Sequence, residues 1–144
     1  MDVEVLRLRP GQDLKQALWD WTRDRRPSAA CVLSAVGSLD TVCLRLAGGD
    51  RQLHRQGPHE ILSLSGTLCL DGLHLHLAIA AATGQVWGGH LLEGCRVYTT
   101  AELVIGSLTD WQFQRQLDSE TSYLELHPRR LQGFQKCQEP DLNR

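Results

Sequence analysis

The stretch Leu73-His74-Leu75-His76-Leu77 alternates apolar and polar residues without a break, and Asp71-Gly72 stands immediately before it. Strict alternation marks a strand with one face in a core, because successive side chains leave a strand on opposite sides. A helix would scatter the same leucines around its circumference. Asp-Gly is a favoured two-residue hairpin loop, since glycine tolerates the positive φ that the tight primed turns demand. On its N-terminal side, Ile61, Leu62, Leu64, Leu68 and Leu70 read as strand material over His59–Leu70. The middle of the chain is therefore expected to form an antiparallel hairpin, Thr67–Leu70 against Leu73–Ala80. Leu73, Leu75, Leu77 and Ile79 would face a core, and His74 and His76 would face away.

Most of the remaining chain reads the same way. Val3–Leu8 alternates and predicts a strand, broken by Pro10-Gly11. Asp13 is placed to cap a helix, with Gln16 three residues on as its capping-box partner. Leu14, Leu18 and Trp21 recur at helical spacing, so a helix is expected over Leu14–Asp24, stopped by Pro27. Arg23, Arg25 and Arg26 stand at its C-terminal end, where cations suit the helix dipole. Trp19 lies off the apolar stripe. Beyond it, Ala30–Val36 predicts a buried strand, Gly37-Ser38 a turn, Thr41–Leu46 an alternating strand and Ala47–Gly57 an exposed loop. Thr83-Gly84 predicts a turn before Gln85–Trp87 and Gly88–Leu92, and Cys95–Ser107 supplies one or two further strands. Trp111–Leu117 is ambiguous, and Tyr123–Leu126 reads as a last strand. After Pro128 large apolar residues thin out, so 129–144 is expected to be a mobile tail on one domain over 1–128. The fold class is α+β: a central, mostly antiparallel sheet packed against an N-terminal helix.

Composition excludes several classes of function. The net charge is −2, which provides no field to hold a polyanion and argues against direct nucleic-acid binding. Five cysteines are an odd number without Cys-x-x-Cys spacing, and Cys31, Cys43, Cys69 and Cys95 sit in apolar runs. They read as small buried hydrophobes of a reducing compartment. Met1 leads straight into Asp2-Val3-Glu4-Val5 without a basic and apolar leader, and no apolar run is long enough for a membrane span. The expectation is a soluble intracellular protein, cytoplasmic or nuclear, with no membrane partner. Walker loops, Gly-x-Gly-x-x-Gly and Gly-x-Ser-x-Gly are absent from the sequence.

The histidines carry the chemistry. Residues two apart on a strand share a face with Cα atoms ~6.6 Å apart, so His74 and His76 can converge on one ion. His90, in Gly88-Gly89-His90-Leu91, follows after one turn and one short strand, and an antiparallel neighbour would return it beside them. Glycines permit that close approach. Three imidazoles and a water are the ligand set of an open zinc site. The pair His74–His76 also fits a plain solvated face, on which histidine simply fills polar positions. Glu60, beside His59, and Glu102, in Thr99-Thr100-Ala101-Glu102, are candidates for a fourth ligand or a general base. Each would serve equally as a structural ion-pairing residue. His54 and His127 lie in polar segments and are expected to be exposed.

These motifs, taken in order, resemble the plants and prokaryotes conserved (PPC) domain. The matching residues begin with Arg9-Pro10-Gly11-Gln12-Asp13-Leu14, Val32-Leu33-Ser34-Ala35-Val36-Gly37-Ser38-Leu39 and Leu44-Arg45. Glu60-Ile61-Leu62-Ser63-Leu64-Ser65-Gly66-Thr67 and His74-Leu75-His76-Leu77 follow. Then come Gly84, Gly88-Gly89-His90-Leu91, Gly94-Cys95, Val97-Tyr98-Thr99-Thr100-Ala101-Glu102, and Phe113 and Arg115 with Asp118. The resemblance spans about residues 4–126. It implies a central antiparallel sheet against a helix, a homotrimer, and a histidine cluster of the prokaryotic type that looks like a metal site. Plant members join the domain to AT-hooks, which bind the minor groove of A·T-rich DNA. An AT-hook needs an Arg-Gly-Arg-Pro core, and Arg25-Arg26-Pro27 lacks the glycine. Three functions follow as expectations. The first is a homotrimeric binding and assembly module with a metal site at His74, His76 and His90, holding zinc or another divalent transition metal and meeting a protein or small-molecule ligand. The second is a zinc-dependent hydrolase or lyase acting on a small polar substrate, with Glu60 or Glu102 moving the proton. The third is a DNA-associated regulatory protein.

Overall fold

The computed structural model describes residues 1–131. In chain order these form β1 (Asp2–Leu8), α1 (Leu14–Arg25), β2 (Ala30–Arg45), β3 (Gln52–Cys69), β4 (Gly72–Ala81), β5 (Val86–Leu91), β6 (Arg96–Ser107), β7 (Trp111–Leu117) and β8 (Leu124–Arg130). Six strands make one sheet in the order β1-β6-β2-β3-β4-β5, and β7 and β8 pair separately. Every neighbouring pair is antiparallel. The far end of β2 also pairs with β5, Leu44 opposite Leu91 and Arg45 opposite His90. Strands β2, β3, β4 and β5 therefore close on themselves, and β6 and β1 extend from β2 as an open wing.

Among the described residues the architecture is a mostly antiparallel sheet with a single short helix, more β-rich than the expected helix-on-sheet α+β fold. The 12-residue helix buries Leu14, Leu18, Trp21 and Thr22, one stripe at helical spacing. Asp13 caps it by accepting from the Gln16 backbone N–H at 2.9 Å. The reciprocal half of the capping box is not made, because the Gln16 amide donates to Asp20 at 2.8 Å instead. The other Asp13 oxygen accepts from the Gly94 N–H at 2.6 Å, which ties the helix start to the approach to β6. At the C-terminal end Arg26 turns left-handed at φ 50° and donates to the Thr22 carbonyl, and Pro27 follows.

The strands run longer than their local patterns suggest. Gly37 is not a turn. It lies inside β2 at φ 139°, where a Cβ would come within 2.1 Å of the Thr100 carbonyl oxygen. Only glycine allows β2 and β6 to approach so closely, so the residue read as a break is what lets one strand run from Ala30 to Arg45. The expected loop 47–57 is likewise shorter, because β3 begins at Gln52. Its polar first residues extend the β2–β3 ladder past the core, with Leu53 opposite Leu44. The hairpin turn sits one residue earlier than expected: Gly72 pairs with Cys69, leaving Leu70 and Asp71 as the loop. The ambiguous 111–117 segment is a strand, held to its neighbours by the Phe113 N–H donating to the Ser28 carbonyl at 2.8 Å. Most of the expected tail, 129–144, lies outside the described residues, though β8 includes Arg129 and Arg130.

Leu39, Leu44, Leu68, Leu75, Leu77, Ile79, Leu91, Leu103 and Ile105 are fully buried, joined by Leu14 and Leu18 of the helix. Each such side chain contributes roughly 1.5–3 kcal/mol relative to exposure. Cys43, Cys69 and Cys95 are buried free thiols. Burial pushes the Cys95 thiol up to about 12, so it packs as an inert hydrophobe. Among the described residues no helix is long and apolar enough to cross a membrane.

Candidate metal centre

One row of the closed sheet assembles the site. Arg45 of β2 stands opposite His90 of β5, His90 opposite His76 of β4, and His76 opposite Ser65 of β3. Two residues along, on the same face, His74 stands opposite Thr67. Directly opposed residues hold their Cβ atoms ~4.5–5.5 Å apart, so the register alone gathers three imidazoles. Gly89 lets β2 close on β5 and bring Arg45 beside them, because a Cβ there would lie 2.6 Å from the Arg45 carbonyl oxygen and push β5 off β2.

The ligand nitrogens of His74, His76 and His90 all lie within 4.8 Å of one another. His74 Nε2 and His76 Nε2 are 3.3 Å apart. The ring centroids are separated by 5.0, 5.3 and 5.8 Å. Leu75, Leu77 and Ile79 of the same strand are buried on the opposite side, as the alternation requires.

The local electrostatics favour the neutral form of His74 and His90. Burial, and then the Arg45 guanidinium, push His90 down from 6.5 to about 4. Burial, then His76 and Arg115, hold His74 below the ordinary histidine range. Neutral imidazole is the form that ligates a metal. His90 Nδ1 is buried without a hydrogen-bond partner. An orphaned buried polar atom costs about 1–3 kcal/mol, a cost that a ligated ion would offset. The donor set therefore fits zinc or a related divalent transition metal.

The carboxylates proposed from sequence do not join the cluster. Glu60 stands opposite Ala80 and Ser38, well along β4 from His76. Glu102 stands opposite Arg7 and Val36 on the open wing. The acids that share the histidine cleft are Asp71 and Glu125. Glu125 arrives on β8, whose hairpin with β7 is anchored by Arg115. The Arg115 backbone N–H donates to the Asp71 carboxylate at 3.2 Å, and its guanidinium donates to the Thr67 hydroxyl at 2.7 Å. A cleft of about 920 Å³ lies between hairpin and sheet, lined by Arg45, His74, His90, Arg115, Tyr123 and Glu125 among others. A smaller one of about 270 Å³ borders His74 and His76. Neither Arg45 nor Glu125 carries a local signal, because only strand closure and hairpin docking bring them here.

The other histidines behave differently. His59 is buried, with Nδ1 donating to the Gly57 carbonyl at 2.6 Å and its ring edge-on to Trp87. His54 and His127 are exposed, as expected. Trp19 and Trp87 are half-buried, and Arg23 and Arg55 stack on them at 4.9 Å.

Comparison with known proteins matches residues 1–109 to the Plants and Prokaryotes Conserved (PCC) domain. The chain is 54% identical over 125 residues to Bifunctional protein GlmU of Synechococcus sp. (strain JA-3-3Ab), covering 87% of this chain and 20% of that protein. The chain thus spans about a fifth of the length of that relative. It is 31% identical over 121 residues to AT-hook motif nuclear-localized protein 20 of Arabidopsis thaliana, covering 77% of this chain and 41% of that protein. Among solved structures, a hypothetical protein from Salmonella cholerae-suis matches with a TM-score of 0.87 at 41% identity, covering 90% of this chain and 94% of that one. The metal-containing protein AF0104 from Archaeoglobus fulgidus matches with a TM-score of 0.75 at 24% identity, covering 88% and 94%, a likeness of fold.

Proposed function

The chain belongs to the Plants and Prokaryotes Conserved domain family, and on that premise we propose that it is a homotrimeric binding and assembly module whose His74, His76 and His90 hold a divalent transition metal, zinc foremost. The observation that carries the metal is the convergence of three imidazole nitrogens within 4.8 Å, one of the residues having its Nδ1 buried and unpartnered. The description of AF0104 as metal-containing supports the reading. Self-association is supported by Val3 and Val5 on the open wing and by Leu33 and Val36 on the part of β2 that joins it, all 47–71% exposed. Exposed apolar side chains on neighbouring strands suit a protein interface.

When bound, the metal would supply Lewis acidity and an ionisable water. The chain's own part is to hold His90 neutral through burial and the Arg45 charge, and to roof the ligands with the β7–β8 hairpin. Glu125 and Arg115 beside the histidines favour a second reading, a metal-dependent hydrolase or lyase acting on a small polar substrate. In that reading Glu125, rather than Glu60 or Glu102, is placed to move a proton. The AT-hook belongs to the Arabidopsis protein's name. These 144 residues contain no Arg-Gly-Arg-Pro and carry a net charge of −2, so we ascribe no direct DNA contact to them.

Elemental analysis of purified protein tests the metal: wild type should carry close to one divalent ion per chain, and His76→Ala should carry almost none. Equal, negligible metal in both would end the metal reading. Light scattering tests the assembly, with three times 16.1 kDa expected and a monodisperse monomer at micromolar concentration ruling it out.

A further inference from the structure

We propose that the cleft beside the three histidines binds a small organic carboxylate, a 2-hydroxy or 2-oxo acid with an apolar substituent. Its carboxylate would be gripped by Arg45 and Arg115, with one oxygen directed at the metal. The proposal rests on the metal reading given above.

The two guanidiniums are delivered by the same register that gathers the ligands. Arg45 stands directly opposite His90. Arg115 reaches the hydroxyl of Thr67, which stands opposite His74. One cation therefore flanks each end of the histidine row, and both line the same cleft as His74 and His90. Both are half-buried. Neither has an acidic partner: the ion pairs among the described residues are those of Arg25 with Glu4 and Asp24. The acids that share the cleft are engaged elsewhere. Asp71 accepts from the Arg115 backbone N–H, and Glu125 accepts from the Thr121 hydroxyl at 3.0 Å. Half-buried guanidinium groups without counter-ions, beside an open metal position, suit a planar bidentate anion.

The walls choose among anions. Leu117, Tyr123 and Leu124 line the cleft and are 62–74% exposed. Inorganic phosphate leaves those side chains wet, whereas an acid with a branched alkyl group covers them. A 2-hydroxy or 2-oxo acid also offers two oxygens to one metal, as a simple fatty acid does not.

Titration of the Co(II)-loaded full chain, followed by its visible absorption and by calorimetry, tests this with three probes: 2-hydroxyisocaproate, lactate and inorganic phosphate. We expect 2-hydroxyisocaproate to shift the Co(II) bands and to bind more tightly than lactate, with phosphate weakest. Losing one charge-assisted contact should weaken it about tenfold in Arg45→Gln, compared with wild type at equal Co(II) occupancy. Arg45→Gln is the decisive variant, since Arg115 also tethers the hairpin through Thr67. Failure to load Co(II) through the histidines overturns the metal reading and this proposal with it. Normal Co(II) bands that no carboxylate perturbs overturn this proposal alone, as does equal affinity in Arg45→Gln. Phosphate binding as tightly as the hydroxy acid overturns the choice of carboxylate.

Discussion

The two faces of β4 obey different physics. On one, Leu75, Leu77 and Ile79 are at most 2% exposed and packed into the core. Their positions are enforced by the transfer of apolar surface from water, which is indifferent to the identity of neighbours. On the other face, His74 and His76 have no meaning alone. They meet a third imidazole only because β5 returns His90 beside them, and β2 closing on β5 adds Arg45. The first face is specified by a period of two, and the second by register between neighbouring strands.

Substitutions separate the faces by size of effect. The largest is expected at Leu77→Ala, which should lower unfolding free energy by about 2–5 kcal/mol, measured by urea denaturation. A loss below 1 kcal/mol would mean the core face is less tightly packed than described. On the site face His90→Leu should have the opposite sign. Removing an orphaned nitrogen should stabilise metal-free protein by about 1 kcal/mol while abolishing metal uptake, seen by denaturation with chelator present. Destabilisation there would show that His90 is held by structure rather than reserved for a ligand.

A third comparison uses pH. Folded His90 titrates at about 4 against an ordinary 6.5, so the unfolded chain takes up the proton first. The contribution is fully present above pH 6.5 and is lost as pH falls toward 4. Metal-free wild type should therefore lose stability against His90→Leu across that window, and a constant difference would refute the origin assigned to the shift. The smallest effect belongs to the surface. Glu4 is lowered chiefly by its bond to Arg25, but the pair is exposed, so Glu4→Gln should leave the denaturation midpoint nearly unchanged.

Much of this was legible locally. The alternation around His74 showed which residues face the core, the Asp13 cap and the Leu14–Leu18–Trp21 stripe showed the helix, and the histidine trio showed itself by spacing. The errors share one cause. Gly37 looks like a turn until β6 is known to press against it. The polar run 52–57 looks like a loop until its pairing with β2 is known. Glu60 and Glu102 neighbour suggestive residues in sequence, whereas Glu125 and Arg45 reach the histidines only through hairpin docking and ring closure, which no window of the sequence contains.

The pairing of Leu44 and Arg45 with Leu91 and His90 is a seam between distant parts of the chain. Its partners are separated by the whole β3–β4 hairpin, so closing it costs loop entropy that a local hairpin does not. The three nitrogens do not wait for that seam, because β4 and β5 pair directly and set His76 opposite His90. An ion held by the trio would therefore favour, by mass action, any chain in which β4 and β5 are paired, while the seam would govern the charge that Arg45 brings beside it.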